Sequence, residues 1–243
     1  MKPDMKRALV TGGSGGIGAA ICRRLAADGC YVYVHGNRNL ARAAAVADEI
    51  RQSGGAAEAI AFDVTDAEAS RVALEALVAD APIHILVNNA GVHDDAVFPG
   101  MRPEQWHSVL DVSLDGFFHV TQPLTLPMIR SRWGRIINIT SIAGLVGNRG
   151  QVNYTAAKGG LHAATKSLSL ELASRGITVN AVAPGIIRTG MIEGVFDEKA
   201  IAAMVPMKRA GKPEEVADLV GFLASEQASY ISGQIISVNG GMI

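Results

Sequence analysis

Cysteine is scarce in this chain. Cys22 and Cys30 are the only two, one on an expected first helix and one at the start of the strand after it. With no Cys-x-x-Cys they suit buried reduced thiols rather than a disulfide framework. The six histidines (35, 84, 93, 107, 119 and 162) contain no pair three or four apart, so no metal site is expected. Excess charge is lacking too. Lys and Arg number 22 against 23 Asp and Glu, which gives neither nucleic acid nor an anionic membrane an electrostatic reason to bind. No apolar run is long and charge-free enough to span a bilayer, and the first residues pass straight into an apolar strand without the core of a secretory signal. A cytoplasmic protein with small solutes as partners is the expectation.

Linkers, repeats and charge blocks are also absent. The 243 residues, 49% of them hydrophobic, are therefore expected to form one α/β domain over 1–243 with a sizeable core. What the chain does contain is alternation. The apolar run 7–11 is followed by Gly12-Gly-Ser14-Gly-Gly16-Ile17-Gly18 and an alanine-rich helical stretch over 19–27. Strand, glycine turn and helix in that order make a phosphate cradle. Glycine lets the backbone approach a pyrophosphate, and the helix start presents free N–H groups and a positive dipole end. The spacing is Gly-x-x-x-Gly-x-Gly, not the Gly-x-Gly-x-x-Gly of the common dinucleotide fingerprint. A strand over 31–35 leads into Gly36-Asn37-Arg38, where an NAD-binding fold places an acid for the ribose 2′-hydroxyl. Without that carboxylate a 2′-phosphate meets no repulsion and Arg38 can pair with it, so NADP(H) is the expected cofactor.

A helix over 40–52, a strand ending at 62–64, a helix to 79 and a strand over 84–87 follow, the last running into Asn88-Asn89-Ala90-Gly91. Strands separated by helices of this length imply a doubly wound parallel sheet with helices on both faces, whose ligands gather at the carboxyl ends of the strands. Asp63, Val64, Asn88, Ala90 and Gly91 fall at such ends and are candidate cofactor contacts, with strand-capping turns as the plain alternative. A long helical region over 103–133 contains Pro123 and Pro127, which are expected to bend or interrupt it. A strand over 135–140 ends at Ser141, a Gly-rich loop spans 144–150, a helix spans 152–174 and stops at Gly176, and a strand spans 177–183. Pro184-Gly185 opens an aperiodic stretch to 206 suited to a substrate lid. A last helix starts at Lys212-Pro213 and a last strand spans 234–238.

Tyr154 and Lys158 stand four apart on the helix over 152–174, so they face the same way, one turn apart. An ammonium fixed beside a phenol favours the phenolate; the expected effect is a lowered Tyr154 pKa and a poised general acid. Tyr-x-x-x-Lys also arises by chance on helices, and its meaning rests on the motifs around it.

Thr11-Gly-x-x-x-Gly16-x-Gly18, Asn88-Asn-Ala-Gly91, Ser141, Tyr154-x-x-x-Lys158 and Pro184-Gly185 together resemble the short-chain dehydrogenase/reductase family over essentially the whole chain. Within it, the stretches 147–154, 175–185 and 238–241 are most similar to 3-oxoacyl-[acyl-carrier-protein] reductases, and 147–154 with 206–209 are also similar to ketoreductases of aryl-polyene pathways. The resemblance implies a Rossmann-type fold, a homotetramer, and NADPH-dependent reduction of a 3-oxoacyl thioester borne on an acyl carrier protein. It further implies Tyr154 as general acid to the ketone oxygen, Lys158 lowering the tyrosine pKa and holding the ribose hydroxyls, and Ser141 hydrogen-bonding the developing alkoxide. Gly12, Ser14, Gly16, Ile17 and Gly18 of the turn, Asn37 and Arg38, and Pro184, Gly185, Ile187 and Thr189 would contact the cofactor. Arg132 and Arg175 would dock an acidic carrier. One position departs: Ser113 stands where the family usually has the asparagine of a water relay to the lysine. Two other readings stay open. One is a reductase or dehydrogenase of free ketones, sugars or steroids; the other is an NADPH-binding sensor or scaffold in which Ser113 marks weakened catalysis.

Overall fold

A computed structural model describes residues 5–37, 39–190 and 197–243. β1 (Arg7–Val10), β2 (Tyr31–Gly36), β3 (Ala56–Ala61), β4 (Ile85–Asn88), β5 (Gly134–Ile139), β6 (Ile177–Pro184) and β7 (Ile235–Val238) form one parallel sheet in the order β3-β2-β1-β4-β5-β6-β7. Around it lie α1 (Gly16–Ala27), α2 (Leu40–Gln52), α3 (Ala67–Val78), α4 (Pro103–Leu110), α5 (Gly116–Ser131), α6 (Ala143–Val146), α7 (Val152–Leu172), α8 (Glu198–Met204) and α9 (Pro213–Ala224). The strand order reverses between β1 and β4, which opens a crevice at their carboxyl ends where sheets of this kind bind ligands.

The central strands are buried on both faces, which is why they read as near-continuous apolar runs. Successive residues still serve opposite sides. Ala8 and Val10 pack with Ile21, Leu25, Val216 and Val220 under α1 and α9, while Leu9 packs with Leu74, Val120, Leu124 and Met128 under α3 and α5. Cys22 and Cys30 are free and buried, and burial pushes the Cys30 thiol up to about 11. Among the described residues no helix is long and apolar enough to cross a membrane.

Several local expectations are corrected. α1 begins inside the glycine turn, at Gly16. β3 ends at Ala61, so Asp63 and Val64 belong to the turn after it. α5 runs unbroken through Pro123 and Pro127; the interruption is a π turn over Asp111–Asp115 that buries Ser113. Each proline removes a donor from α5, and the packing of Val120, Leu124 and Met128 against the sheet outweighs that local preference. The glycine-rich loop opens with α6, and the aperiodic stretch holds α8, capped where Ala200 N donates to Asp197 Oδ1 at 2.7 Å. Residues 191–196 of the expected lid lie outside the described residues.

Candidate active site

The glycine turn is shaped by close approach. Gly12 is left-handed, with φ 62°, and a Cβ on Gly18 would lie 2.2 Å from the Gly12 carbonyl oxygen and 2.6 Å from Asn89 Nδ2. Thr11 and Asn89 lock the turn to the end of β4. Thr11 Oγ1 accepts from Asn89 N and Ala90 N, each at 3.0 Å, and Asn89 Nδ2 donates to the carbonyls of Thr11 at 2.9 Å and Gly12 at 3.1 Å. On the β2 side, His35 Nδ1 accepts from Gly12 N at 3.1 Å, which leaves Nε2 to donate to the Phe62 carbonyl at 2.9 Å. Burial lowers the His35 pKa and so favours this neutral tautomer.

The N-cap of α1 is Gly15, which offers no side-chain cap, so no side chain competes with an anion for the first-turn N–H groups. Ser14 is half-buried in the turn. A Cβ on Gly16 would lie 3.0 Å from Thr189 Cγ2, which places the segment after Pro184-Gly185 over the turn, anchored by the buried Ile187 and its bridge to Gly211. An uncapped helix start, glycine where a Cβ has no room and a threonine above it fit the diphosphate of a dinucleotide.

Not every expected cofactor contact points there. Asn88 Nδ2 donates to Thr121 Oγ1 at 3.0 Å and to Asn138 Oδ1 at 2.9 Å. Asn138 continues to Thr165 Oγ1 at 2.8 Å, and Thr165 to the Leu161 carbonyl at 2.7 Å. The Asn88 amide therefore braces the core, and its neighbour Asn89, absent from the expected set, clamps the turn. Asp63 Oδ1 accepts from Thr65 N at 3.0 Å and Thr65 Oγ1 at 2.7 Å, an Asx turn. Val64 is buried, and its carbonyl accepts from His119 Nδ1 at 2.9 Å. Asn37 is exposed directly after β2, and Arg38 lies outside the described residues. A Cβ on Gly36 would lie 2.9 Å from the Asn39 carbonyl oxygen, so an acid has no room at 36; Asn37 is the first open position.

Beside the turn, β5 delivers Ser141 and α7 delivers Tyr154 and Lys158. Ser141 Oγ accepts from Ala143 N at 3.1 Å, and the Ser141 hydroxyl is near enough to the Tyr154 phenol to lower its pKa. Lys158 is buried; its Nζ donates to the Ile139 carbonyl at 3.0 Å, lies 5.6 Å from the Tyr154 ring centroid, and would lie 3.2 Å from a Cβ on Gly91. Asn153, which the motifs did not single out, pins the start of α7 to the segment after β4. Its Nδ2 donates to the carbonyls of Asp94 at 2.9 Å and Gln105 at 2.8 Å, and its Oδ1 accepts from Tyr154 N at 2.8 Å. A lone polar side chain ahead of Tyr154 carries no sequence signal of that burial.

The expected lowering of the Tyr154 pKa by Lys158 is not found. Burial raises it, the Ser141 hydrogen bond opposes the rise and the Asp95 charge adds to it. Burial likewise lowers Lys158 to about 8. Both charged forms are penalised where water is excluded, and the ammonium is turned to Ile139. A phenol held above its ordinary value keeps its proton at neutral pH, the state a proton donor needs. In the π turn, the Ser113 hydroxyl is buried with no hydrogen-bond partner among the described residues. It lines a cavity of about 10 Å³ together with Thr11, Asn88, Ala90, Gly116 and Leu161, room for about one water molecule.

Arg132 and Arg175 are not at this site. Arg132, left-handed with φ 52°, precedes β5, and Arg175 ends the short turn after α7, so both stand at the amino ends of strands. Arg132 Nη2 approaches the Ser174 carbonyl at 3.5 Å. Tyr154 and Arg175 are separated by nearly the whole of the 21-residue α7, about 30 Å at 1.5 Å per residue.

Comparison with known proteins gives the class first. Residues 12–243 match the family described as Enoyl-(Acyl carrier protein) reductase, and the chain belongs to this short-chain dehydrogenase/reductase family of nicotinamide-dependent oxidoreductases. Individual relatives are more particular. The 3-oxoacyl-[acyl-carrier-protein] reductase FabG of Aggregatibacter actinomycetemcomitans is 46% identical, over 96% of this chain and 98% of its own. The 3-oxoacyl-[acyl-carrier-protein] reductase of Synechocystis is 46% identical over 97% and 96%, and nodulation protein G of Azospirillum brasilense 44% over 98% and 98%. The crystal structure of an Agrobacterium tumefaciens protein assigned as a gluconate dehydrogenase is similar with a TM-score of 0.94 at 35% identity, covering 98% of this chain and 95% of that one. The family resemblance and the doubly wound parallel fold expected from the motifs are borne out.

Proposed function

We propose that the chain reduces a carrier-bound 3-oxoacyl thioester to the 3-hydroxyacyl thioester with NADPH. The observation that carries this is the Ser141, Tyr154 and Lys158 cluster set beside a diphosphate-shaped turn at the carboxyl ends of β1, β4 and β5. Tyr154 gives its phenolic proton to the ketone oxygen, Ser141 hydrogen-bonds that oxygen as it becomes an alkoxide, and the Lys158 ammonium offsets the phenolate left behind. When bound, NADPH supplies the hydride to the ketone carbon. The turn from Gly12 to Gly18 with Thr189 would hold its diphosphate, Lys158 and Ala90-Gly91 its ribose, and Asn37 and Arg38 its 2′-phosphate. Ser113 would hold a water in the cavity it lines, the first step of a path returning a proton toward Lys158 and Tyr154.

The substrate class has its own support. Val92, Val97 and Phe98 after β4, Leu145 and Val146 in α6 and Val152 opening α7 are all exposed, an apolar fringe on the three segments that flank Tyr154. It suits an acyl chain better than a polyol or sugar acid, and it agrees with the relatives named as 3-oxoacyl-[acyl-carrier-protein] reductases. As carrier-docking groups, Arg175, beyond the far end of α7, and Arg132, whose Nη2 reaches the Ser174 carbonyl, lie too far from Tyr154 to serve it in their own chain. In a homotetramer they would serve another copy's site. Phe118 and Leu126 on α5 and Leu170 on α7 are 60%, 52% and 83% exposed, the apolar face such an assembly needs.

Following NADPH oxidation with a panel of 3-oxoacyl thioesters, free ketones and sugar acids tests this reading. Thioesters are expected to give the highest kcat/KM; a sugar acid or free ketone above them overturns the substrate. NADPH is expected to exceed NADH by about ten- to a hundredfold, the worth of a charge-assisted phosphate contact of about 1.5–3 kcal/mol. Asn37→Asp is expected to narrow that gap, and equal kcat/KM for the two cofactors contradicts it.

A further inference from the structure

His162 is buried one turn beyond Lys158 on α7, and the chemistry above makes no use of it. Its Nε2 lies 2.8 Å from Thr140 Oγ1. Thr140 has one hydroxyl proton, directed to the Val182 carbonyl at 3.0 Å, so His162 donates and Thr140 accepts. Thr140 immediately precedes Ser141. The imidazole also meets the chain on the other side of the serine: a Cβ on Gly144 would lie 2.9 Å from His162 Cε1, 2.9 Å from the Lys158 carbonyl carbon and 2.9 Å from Gly159 N. Backbone bonds from Thr140 N to Val182 O at 2.8 Å and from Ile142 N to Pro184 O at 3.1 Å fix the same segment to β6. They do not fix it to α7, the helix that carries Tyr154 and Lys158.

We propose that His162 is a positioning residue for the reduction, holding Ser141 at the Tyr154 phenol by donating to Thr140 and packing on Gly144. The proposal rests on the ketoreductase reading above. Burial lowers the His162 pKa, the Lys158 and Lys166 charges on its own helix add to this, and the Gly144 backbone opposes it. Nε2 carries a proton in the neutral tautomer and in the charged ring alike, so the bond to Thr140 persists in both.

The test compares His162→Leu with His162→Gln, whose amide nitrogen keeps a donor where Nε2 stood, and with Thr140→Val, which keeps the shape and removes the acceptor. With an acetoacetyl thioester, kcat is expected to fall about ten- to a hundredfold in His162→Leu and Thr140→Val, with KM for NADPH within about twofold of wild type. His162→Gln is expected to recover most of the rate. Recovery of the rate in His162→Gln with an unmoved KM for NADPH separates a lost donor from a general loss of packing. An unchanged kcat in Leu and Val, or a Gln variant no better than Leu, overturns the proposal. If the wild type oxidises NADPH with no 3-oxoacyl thioester, the ketoreductase reading falls and the proposal with it; an active wild type with unaffected variants brings down the proposal alone.

Discussion

Lys158 holds a charge where a charge is costly. Its ammonium is buried with the Ile139 carbonyl as acceptor, and burial brings its pKa from the ordinary 10.5 to about 8. The unfolded chain therefore binds the proton more tightly than the folded one, and stability rises with pH between about 8 and 10.5. Below that window the buried charge opposes folding in full. Lys158→Met is expected to raise unfolding stability at pH 7 by about 1–3 kcal/mol while turnover and NADPH binding both fall; a urea titration beside an activity assay checks the pair, and a less stable variant contradicts the burial argument. Ser113 is the complementary case, a buried hydroxyl without a partner among the described residues. Ser113→Ala is expected to leave stability unchanged or raise it by about 1 kcal/mol, and to lower kcat by less than Tyr154→Phe does. Ser113→Asn is expected to leave kcat unchanged or raise it a few-fold. A Ser113→Ala enzyme with the wild-type rate and pH profile removes the serine from the relay.

At the scale of elements, the turn from Gly12 into α1 is the most tightly specified segment. Gly18→Ala would put a Cβ 2.2 Å from the Gly12 carbonyl oxygen, a backbone clash, and is expected to abolish NADPH binding. Asn89→Ala loses two hydrogen bonds to the turn, and is expected to raise KM for NADPH about tenfold with kcat nearly unchanged. Elements whose ends are set by local chemistry were legible in the sequence. Gly176 stops the helical region after α7 in left-handed geometry, with φ 74°, and α9 starts at Pro213 with Lys212 N donating to Glu215 Oε2 at 2.7 Å. Elements set by packing were not. α5 passes two prolines because the sheet holds it, and the π turn at Asp111–Asp115 has no breaker residue to announce it. The adjacent amides of Asn88 and Asn89 were inseparable by type; the end of β4 sends one into the core and the other back to the turn. The direction of the Tyr154 pKa shift was hidden for a similar reason: the spacing shows that Lys158 is near, and only the fold shows that both groups are buried.

Across the whole molecule, the candidate active site and the two arginines occupy opposite ends of the sheet, so the docking proposed for the arginines requires a second copy. Replacing Arg132 and Arg175 with Glu is expected to raise KM for a carrier-bound substrate in a salt-dependent way and to spare a small thioester. Coassembling that double variant with Tyr154→Phe is expected to restore activity on the carrier-bound substrate, since one chain supplies arginines and the other tyrosine; mixtures no more active than the separate variants contradict docking across copies. The central claim, that Tyr154 delivers the proton in reduction of a 3-oxoacyl thioester, is tested most directly by single-turnover NADPH oxidation in wild type and Tyr154→Phe. The account predicts a rate at least about a hundredfold lower in the variant, the usual contribution of a positioned acid, with an unchanged Kd for NADPH. A Tyr154→Phe enzyme that keeps more than about a tenth of the wild-type rate would contradict it.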